Sequence, residues 1–339
     1  MLEPTNAKQY QAYARDMIPD PDRVRDGIWS IPMAMPNPHL PYNLCYLVED
    51  AVGRLHVIDP GWHTDENWSR LQRQLGTIGR QVGDIATIVA THLHPDHLGM
   101  AERIRSACDA GLVLLKREDE AARALAAASS ATAATTDQMD EWGVPEFRRA
   151  EVASVGRRRE APRFPEADIR LDDGQYLPIV GREFQVIHTP GHTPGHMCIR
   201  SGEDGLIITG DHVLPTIHAG LGLGGTTSTN PIADYLAALD RVAEFDGDEI
   251  APGHEFRFRG LAARCQSTAE HHVRRTREVA DALADDAGAS TWEIASRLTW
   301  TAGWENLTDF YLLSALTQTQ MHATFVLSGA AEQYLQPAA

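Results

Sequence analysis

The sequence predicts an α+β protein, a four-layer αββα sandwich with a small helical C-terminal region. Three observations lead there. Short apolar runs of β type fall into two groups, one before and one after an Ala-rich and charged excursion. Each group is followed by helical patterning, so each half has a sheet and helices to cover it. Histidines and aspartates recur where predicted strands stop, which would place them on one rim of the sandwich. A chain of 339 residues, 43% hydrophobic and 23% charged, is long enough for one large domain and an appendage. The expected division is an N-terminal arm over 1–25, a main domain over 26–257, which the motifs below make the catalytic one, and a C-terminal region over 258–339.

Residues 1–25 are polar and read as an arm. The runs Leu44 to Val48 and Leu55 to Ile58 are strand candidates, and the second ends in the turn signal Asp59-Pro60-Gly61. Trp68, Leu71, Leu75 and Ile78 share one helical face, with Thr64 or Asp65 placed to cap it. A short buried strand, Ile85 to Ala90, runs directly into Thr91-His92. A helix near Leu98 and a strand from Leu112 to Leu115 complete this half. Residues 119–165 hold a helix-compatible stretch (AARALAAASSATAATT) and a charged, Pro-containing one (RRAEVASVGRRREAPRFPEAD). They read as a surface excursion or as a lid over the site. The second half offers strands at Phe184 to His188, Met197 to Ile199 and Leu206 to Thr209. Asn230 then caps a helix with Pro231 at its first position, and Ile232, Tyr235, Leu236, Leu239 and Val242 form its apolar face. A short strand ends at Pro252-Gly253-His254, and a long polar helix follows from about 260 to 285.

Composition narrows the function. The formal charge of −17 repels phosphate backbones, so no nucleic-acid partner is expected. No apolar run approaches the ~20 residues of a membrane helix, and the first residues lack the basic-then-apolar pattern of a secretory signal. The cysteines at 45, 108, 198 and 265 show no CxxC spacing and read as buried free thiols in a reducing compartment. The expectation is a cytoplasmic protein with no membrane partner, compatible with a homo-oligomer.

The segment Thr91-His92-Leu93-His94-Pro95-Asp96-His97-Leu98-Gly99 carries the chemistry. In extended chain, residues two apart point the same way, so His92 and His94 can reach one ion together. Pro95 breaks the run, and Asp96 and His97 at a helix start turn towards a second position. Imidazole and carboxylate suit zinc and other borderline transition metals. Further candidates follow three later strands: His188-Thr189-Pro190-Gly191-His192-Thr193-Pro194-Gly195-His196, then Thr209-Gly210-Asp211-His212, then Pro252-Gly253-His254-Glu255. Each alone is weak, since a lone His or Asp after a strand is usually a turn residue. Their order and common placement carry the weight.

With these motifs in this order, the chain resembles the metallo-β-lactamase superfamily over roughly residues 27 to 257, and especially its glyoxalase II-like hydrolases. The resemblance implies two metal ions. His92, His94 and His192 would hold the first, Asp96, His97 and His254 the second, and Asp211 would bridge them. It also implies that Asp59 supports the metal loop, and that His188 and His196 orient ligands. The segment after 286 resembles the small winged-helix-like domain attached to some of these hydrolases. There Ser290-Thr291-Trp292-Glu293 reads as a capping box before Ile294, Ala295 and Leu298. A second helix carries Phe310, Leu313 and Leu316, and Gln333-Tyr334-Leu335 is the candidate wing. Arg297 is the only Lys or Arg from 286 to 339, so this region is not expected to bind phosphate backbones.

The implied enzyme is a dinuclear hydrolase with two divalent ions, zinc or alternatively iron or manganese. It would attack a small acyl substrate (an ester, thioester or lactone) with a metal-bound hydroxide, Asp96 orienting the nucleophile and taking its proton. The alternatives are a phosphodiesterase or endoribonuclease with the same metals, and a mononuclear iron persulfide dioxygenase. The apolar, Gly-rich loop after Asp211, through Gly220-Leu221-Gly222-Leu223-Gly224-Gly225, either lines the pocket or is a flexible connection.

Overall fold

The computed structural model describes residues 2–36, 40–127, 136–157, 164–225 and 227–336. The chain enters through β1 (Glu3–Pro4) and α1 (Ala7–Tyr13). It then lays down β2 (Asp22–Arg25), β3 (Ile28–Ala34), β4 (Tyr42–Glu49) and β5 (Leu55–Ile58) as an antiparallel run. After α2 (Asp65–Thr77), β6 (Ile85–Val89) joins β5 in parallel. Next come α3 (Pro95–Leu98), α4 (Ala101–Ala107) and the parallel strand β7 (Gly111–Leu115). Helices α5 (Lys116–Ala127), α6 (Thr136–Glu141) and α7 (Glu146–Arg157) precede β8 (Ile169–Leu171). The second half holds β9 (Gln185–His188), β10 (Met197–Ser201), β11 (Leu206–Gly210), α8 (Pro231–Ala243), β12 (Glu249–Pro252) and β13 (Phe258–Arg259). Helices α9 (Leu261–Asp285), α10 (Thr291–Arg297), α11 (Asp309–Leu327) and α12 (Glu332–Leu335) follow.

Among the described residues the strands form two sheets, β2-β3-β4-β5-β6-β7-β8 and β1-β13-β12-β11-β10-β9. Strand alternation builds the layers. Tyr42, Leu44, Tyr46 and Val48 of β4 point between the sheets and meet Val186, Ile199, Leu206 and Ile208 of the other sheet. Cys45 and Leu47 point outward and pack beneath Leu71 and Leu75 of α2. On the second sheet, Ile187, Cys198, Ile207 and Ile250 lie under Tyr235, Leu239 and Leu261 of α8 and α9. Both sheets are covered on both faces, which is why their strands read as continuous apolar runs. The fold is the expected αββα sandwich with a helical C-terminal region. The helix caps follow the sequence too. The Thr64 side chain, rather than that of Asp65, accepts from the Asn67 amide, and Asn230 caps α8.

Three expectations need correction. Residues 1–25 are not a free arm, because β1 pairs with β13 and β2 pairs with β3, so the segment contributes to both sheets. Gln9 is buried; its amide donates to Asp22 at 3.0 Å and its carbonyl accepts the Arg257 amide at 3.1 Å. Residues 333–335 form helix α12 rather than a wing, and no described strand follows β13, so the C-terminal region is helical without winged-helix character. Phe310 is 43% exposed, whereas α11 buries Leu312, Ala315, Leu316 and Thr319. Of the three residues expected on this helix, Leu316 is buried and Leu313 packs against the same cluster, while Phe310 does not share that face.

Residues 128–135 and 158–163 lie outside the described residues, and with them parts of the Ala-rich and charged stretches. The described part of the excursion is helical. Met139, Trp142, Val144 and Val152 of the excursion share one apolar cluster with Ala295, Leu307, Leu312 and Leu316 of the C-terminal region. No described helix is long and apolar enough to cross a membrane.

Candidate metal centre

The donors gather where strands of both sheets end. β5 delivers Asp59, β6 leads through Ala90 and Thr91 into His92, β11 ends beside Asp211, and β12 ends beside His254. The chain bends over residues 91–94 although His94 itself is extended (φ −66°, ψ 150°), and Pro95 opens the short helix α3, which turns Asp96 and His97 away from His94. All seven predicted ligands come together, in two groups. His92, His94, His192 and Asp211 form one, and Asp96, His97 and His254 the other.

In the first group, Nε2 of His92, Nδ1 of His94 and Nε2 of His192 are mutually 3.0, 3.1 and 3.2 Å apart. Around a tetrahedral ion with bonds of ~2.0 Å, neighbouring donors stand ~3.3 Å apart, so these nitrogens fit one ion. Asp211 Oδ2 lies 3.6 Å from His192 Nε2. In the second group, His254 Nε2 is 3.3 Å from Asp96 Oδ2 and 3.3 Å from Asp211 Oδ1, and His97 Nε2 is 3.4 Å from Asp211 Oδ1. His97 Nε2, His254 Nε2 and Asp211 Oδ1 are buried without a hydrogen-bond partner. Buried polar atoms are rarely left so unless something else binds them. The two Asp211 oxygens therefore face different groups.

The far nitrogen of each ring meets an oxygen. His92 Nδ1 is 3.1 Å from Thr91 Oγ1, whose own proton goes to Asp59 Oδ2 at 2.8 Å. His94 Nε2 meets the Leu223 carbonyl at 3.3 Å, and His192 Nδ1 the Gly220 carbonyl at 2.6 Å. His97 Nδ1 lies 2.9 Å from Asp59 Oδ2, and His254 Nδ1 lies 2.9 Å from the Tyr42 carbonyl. Each oxygen takes a ring N–H and leaves the lone pair of the other nitrogen facing the centre, the tautomer a metal ligand needs.

Asp59 thus organises both groups. Its Oδ1 also accepts the Thr91 amide at 2.7 Å, and its backbone sits at φ +52°, an uncommon conformation that Asp tolerates better than most. His196 places Nδ1 2.8 Å from Thr189 Oγ1 and accepts the Asp211 amide at Nε2, 3.2 Å, so it orients the aspartate that faces both groups. The His188 ring meets the Pro194 carbonyl at 2.9 Å, rather than a residue of either group. Gly253 allows β12 to close on the site, since a Cβ there would stand 2.5 Å from Asp211 Oδ1 and 2.8 Å from His97 Cε1.

Electrostatics separate the groups. Burial holds the rings of His92, His94 and His192 below their usual pKa, His94 at about 4, so they are neutral donors. Burial also opposes charge on His97 and His254, but the Asp211 carboxylate outweighs it, helped by Asp96 for both rings and by Asp59 for His97. His254 is raised to about 10 and His97 well above its usual value. Burial raises the Asp96 pKa, but His97 and His254 outweigh it and hold this carboxyl below the usual range. These acidic groups require positive charge beside His97 and His254, whether from protons or from a metal cation. The residues present fit divalent metal ions.

Sequence reasoning missed Glu118 and the carbonyls of Tyr42, Gly220 and Leu223. Glu118 is fully buried in the first turn of α5, where burial pushes its carboxyl up to about 7 against three donors, the Leu93 and Gly195 amides and the Thr193 hydroxyl. Its one local signal is position, since it follows an apolar strand as the ligands do. The loop after Asp211 is bound rather than free. Besides the two carbonyls, the Gly222 amide donates to Gly191 at 2.8 Å and the Leu223 amide to His192 at 2.9 Å.

A family model described as the metallo-beta-lactamase superfamily matches residues 41–254. The chain is 21% identical over 220 residues to a Beta-lactamase-like protein 2 homolog of Caenorhabditis elegans, covering 65% of this chain and 59% of that protein. It is 30% identical over 111 residues to an atrochrysone carboxyl ACP thioesterase of Aspergillus fumigatus, covering 33% of each. In both cases the chain spans less than two thirds of the relative. A crystal structure of a metallo-beta-lactamase family protein from Thermus thermophilus superposes with a TM-score of 0.71 at 27% identity, covering 91% of this chain and 96% of that one.

Proposed function

This chain belongs to the metallo-beta-lactamase superfamily, and from that premise we propose that it is a dinuclear hydrolase of small, apolar esters, thioesters or lactones. Membership supports metal-dependent hydrolysis as the reaction class; two ions, zinc among them, and an acyl substrate are the finer proposal. The observation that carries it is the set of five imidazoles, each with its far nitrogen against an oxygen and its near nitrogen aimed inward, around an aspartate whose two oxygens face separate groups. His92, His94 and His192 would hold one ion, Asp96, His97 and His254 the other, and Asp211 both. Iron or manganese would fit the same donors.

When bound, the ions would lower the pKa of a water towards ~7 and polarise the substrate carbonyl. Asp96, an anionic carboxylate on the second group, would hold the attacking water in line and accept its proton. Asp59 and the carbonyls of Tyr42, Gly220 and Leu223 would keep the rings from turning during the reaction. The loop whose carbonyls meet His94 and His192 carries apolar groups. Leu223, whose carbonyl meets His94, is 41% exposed, and Leu125 and Met321 pack against Gly225 and Gly222 of the same loop. Such a loop beside the ligands would suit an acyl chain, and the thioesterase name of the fungal relative is consistent with it. A small-molecule substrate also accords with the charge of −17, which opposes nucleic acid.

A hydrolysis screen of the metal-loaded protein over carboxylic esters, thioesters, lactones and phosphate diesters tests the proposal. Turnover of at least one carbonyl class is expected. Turnover of phosphate diesters alone would replace the substrate class, and oxidation of a persulfide with one bound iron would replace the reaction.

A further inference from the structure

We propose that Glu118 is a positioning residue for the first metal group, a single buried carboxylate that clamps together the two loops carrying His92, His94 and His192; this rests on the dinuclear proposal above. Glu118 Oε1 accepts the amide of Leu93, the residue between His92 and His94, at 2.7 Å. Its Oε2 accepts the Thr193 hydroxyl at 3.0 Å and the Gly195 amide at 2.8 Å, on the loop that carries His192. These loops come from opposite sheets, so their spacing is not fixed by one strand ladder. The carboxylate sits between them with no solvent exposure and takes one donor from the first loop and two from the second.

The approach is built into the backbone. A Cβ at Gly195 would lie 2.1 Å from the Glu118 nitrogen, so only glycine lets α5 seat its first turn on the His192 loop. The other group does not depend on this clamp. His97 is held by Asp59 and His254 by the Tyr42 carbonyl. Loss of the Glu118 carboxylate should therefore weaken one ion and spare the other. Glu118→Gln keeps the shape but turns an NH₂ towards loop donors. Thr193→Val removes one donor and leaves Glu118 in place. Asp119→Asn is the control, because Asp119 is equally buried on the same helix but pairs with Arg170 at 2.6 Å and Arg123 at 2.9 Å, away from the metal loops.

The experiment strips each full-length protein with chelator and titrates it with zinc against a competing dye. Cobalt(II) spectra then report the geometry of each bound ion, and thermal unfolding of the stripped proteins reports stability. Wild type should take two ions. Glu118→Gln should bind one of them about 10- to 100-fold more weakly and alter one cobalt signature, the usual scale for losing a group that orients ligands. Thr193→Val should weaken the same ion by less, and Asp119→Asn should bind both as wild type does even where its stability falls. Two ions with unchanged affinity and spectra in Glu118→Gln and Thr193→Val would overturn the clamp. So would a weakening in Asp119→Asn that matches Glu118→Gln. A wild-type protein that binds only one ion would instead refute the dinuclear proposal on which the clamp rests.

Discussion

Replacing Asp59 with Asn isolates the residue on which both metal groups lean. The backbone contribution should cancel, because Asn tolerates the φ of +52° that Asp59 adopts. The loss is in hydrogen bonding. One amide oxygen can keep the Thr91 N–H, but an NH₂ then stands where Oδ2 accepts the Thr91 hydroxyl at 2.8 Å and His97 Nδ1 at 2.9 Å. The hydroxyl can rotate, but the ring N–H has no second acceptor. Losing a bond to a charged acceptor costs about 1.5–3 kcal/mol, and burying the orphaned N–H costs about 1–3 kcal/mol more. The expected destabilisation of the metal-free protein is therefore about 2.5–6 kcal/mol, read as a fall in denaturant midpoint at unchanged slope. Zinc affinity should also drop about 10- to 100-fold, because His97 and, through Thr91, His92 lose their orientation. A stability change below about 1 kcal/mol together with unaltered zinc affinity would refute the role assigned to Asp59.

The remaining expectations concern other parts of the molecule. His218, His271, His272 and His322 gather around α9 and α11, and burial lowers all four, His218 to about 4 and His322 to about 3. The unfolded chain then binds more protons than the folded one below 6.5, so stability should fall as pH drops from there towards 3; His322 alone accounts for about 2 kcal/mol by pH 5. Unfolding midpoints at pH 7 and 5 check this, and His322→Gln should flatten the slope; an unchanged slope contradicts it. Trp142, 1% exposed, joins the excursion helices to the C-terminal helices, so Trp142→Ala should cost about 3–5 kcal/mol and expose both regions to limited proteolysis together; wild-type resistance in either region would show that they do not share a core. Fluorescence titration with RNA and DNA at physiological salt should show no binding; micromolar affinity with a steep salt slope would contradict the reading of the charge.

The site was legible where its information is local. The His92–His97 segment brings four donors together, and the other ligands follow strands whose apolar runs are plain to read, so position at a strand end marked each of them. What stayed hidden depends on distant chain. Glu118 stands among charged residues of a helix start and matters only because Leu93, Thr193 and Gly195 reach it. The carbonyls that orient His94, His192 and His254 have no side-chain signature at all. In the fold, β3 escaped notice partly because Pro32 interrupts its pattern. The structure accommodates that proline where β2, which pairs with Ile28 to Ser30, has already ended, so no described strand pairs with that side of β3 there. The wing failed for a similar reason, because Gln333-Tyr334-Leu335 is too short for periodicity to separate a strand from a helical turn, and packing of Tyr334 and Leu335 on the α8–α9 layer accompanies the helix.

The most direct test of the account compares turnover of an acyl substrate by wild type and Asp96→Asn at equal metal loading. Asp96 lies 3.3 Å from His254 on the second group, and its carboxylate is the one side chain assigned both to hold an ion and to manage the attacking water. The amide preserves the shape while removing the anion and the proton acceptor, and kcat should fall by about 100-fold or more with the fold intact by circular dichroism. Comparable kcat values in the two proteins, each carrying two ions, would contradict the proposed mechanism.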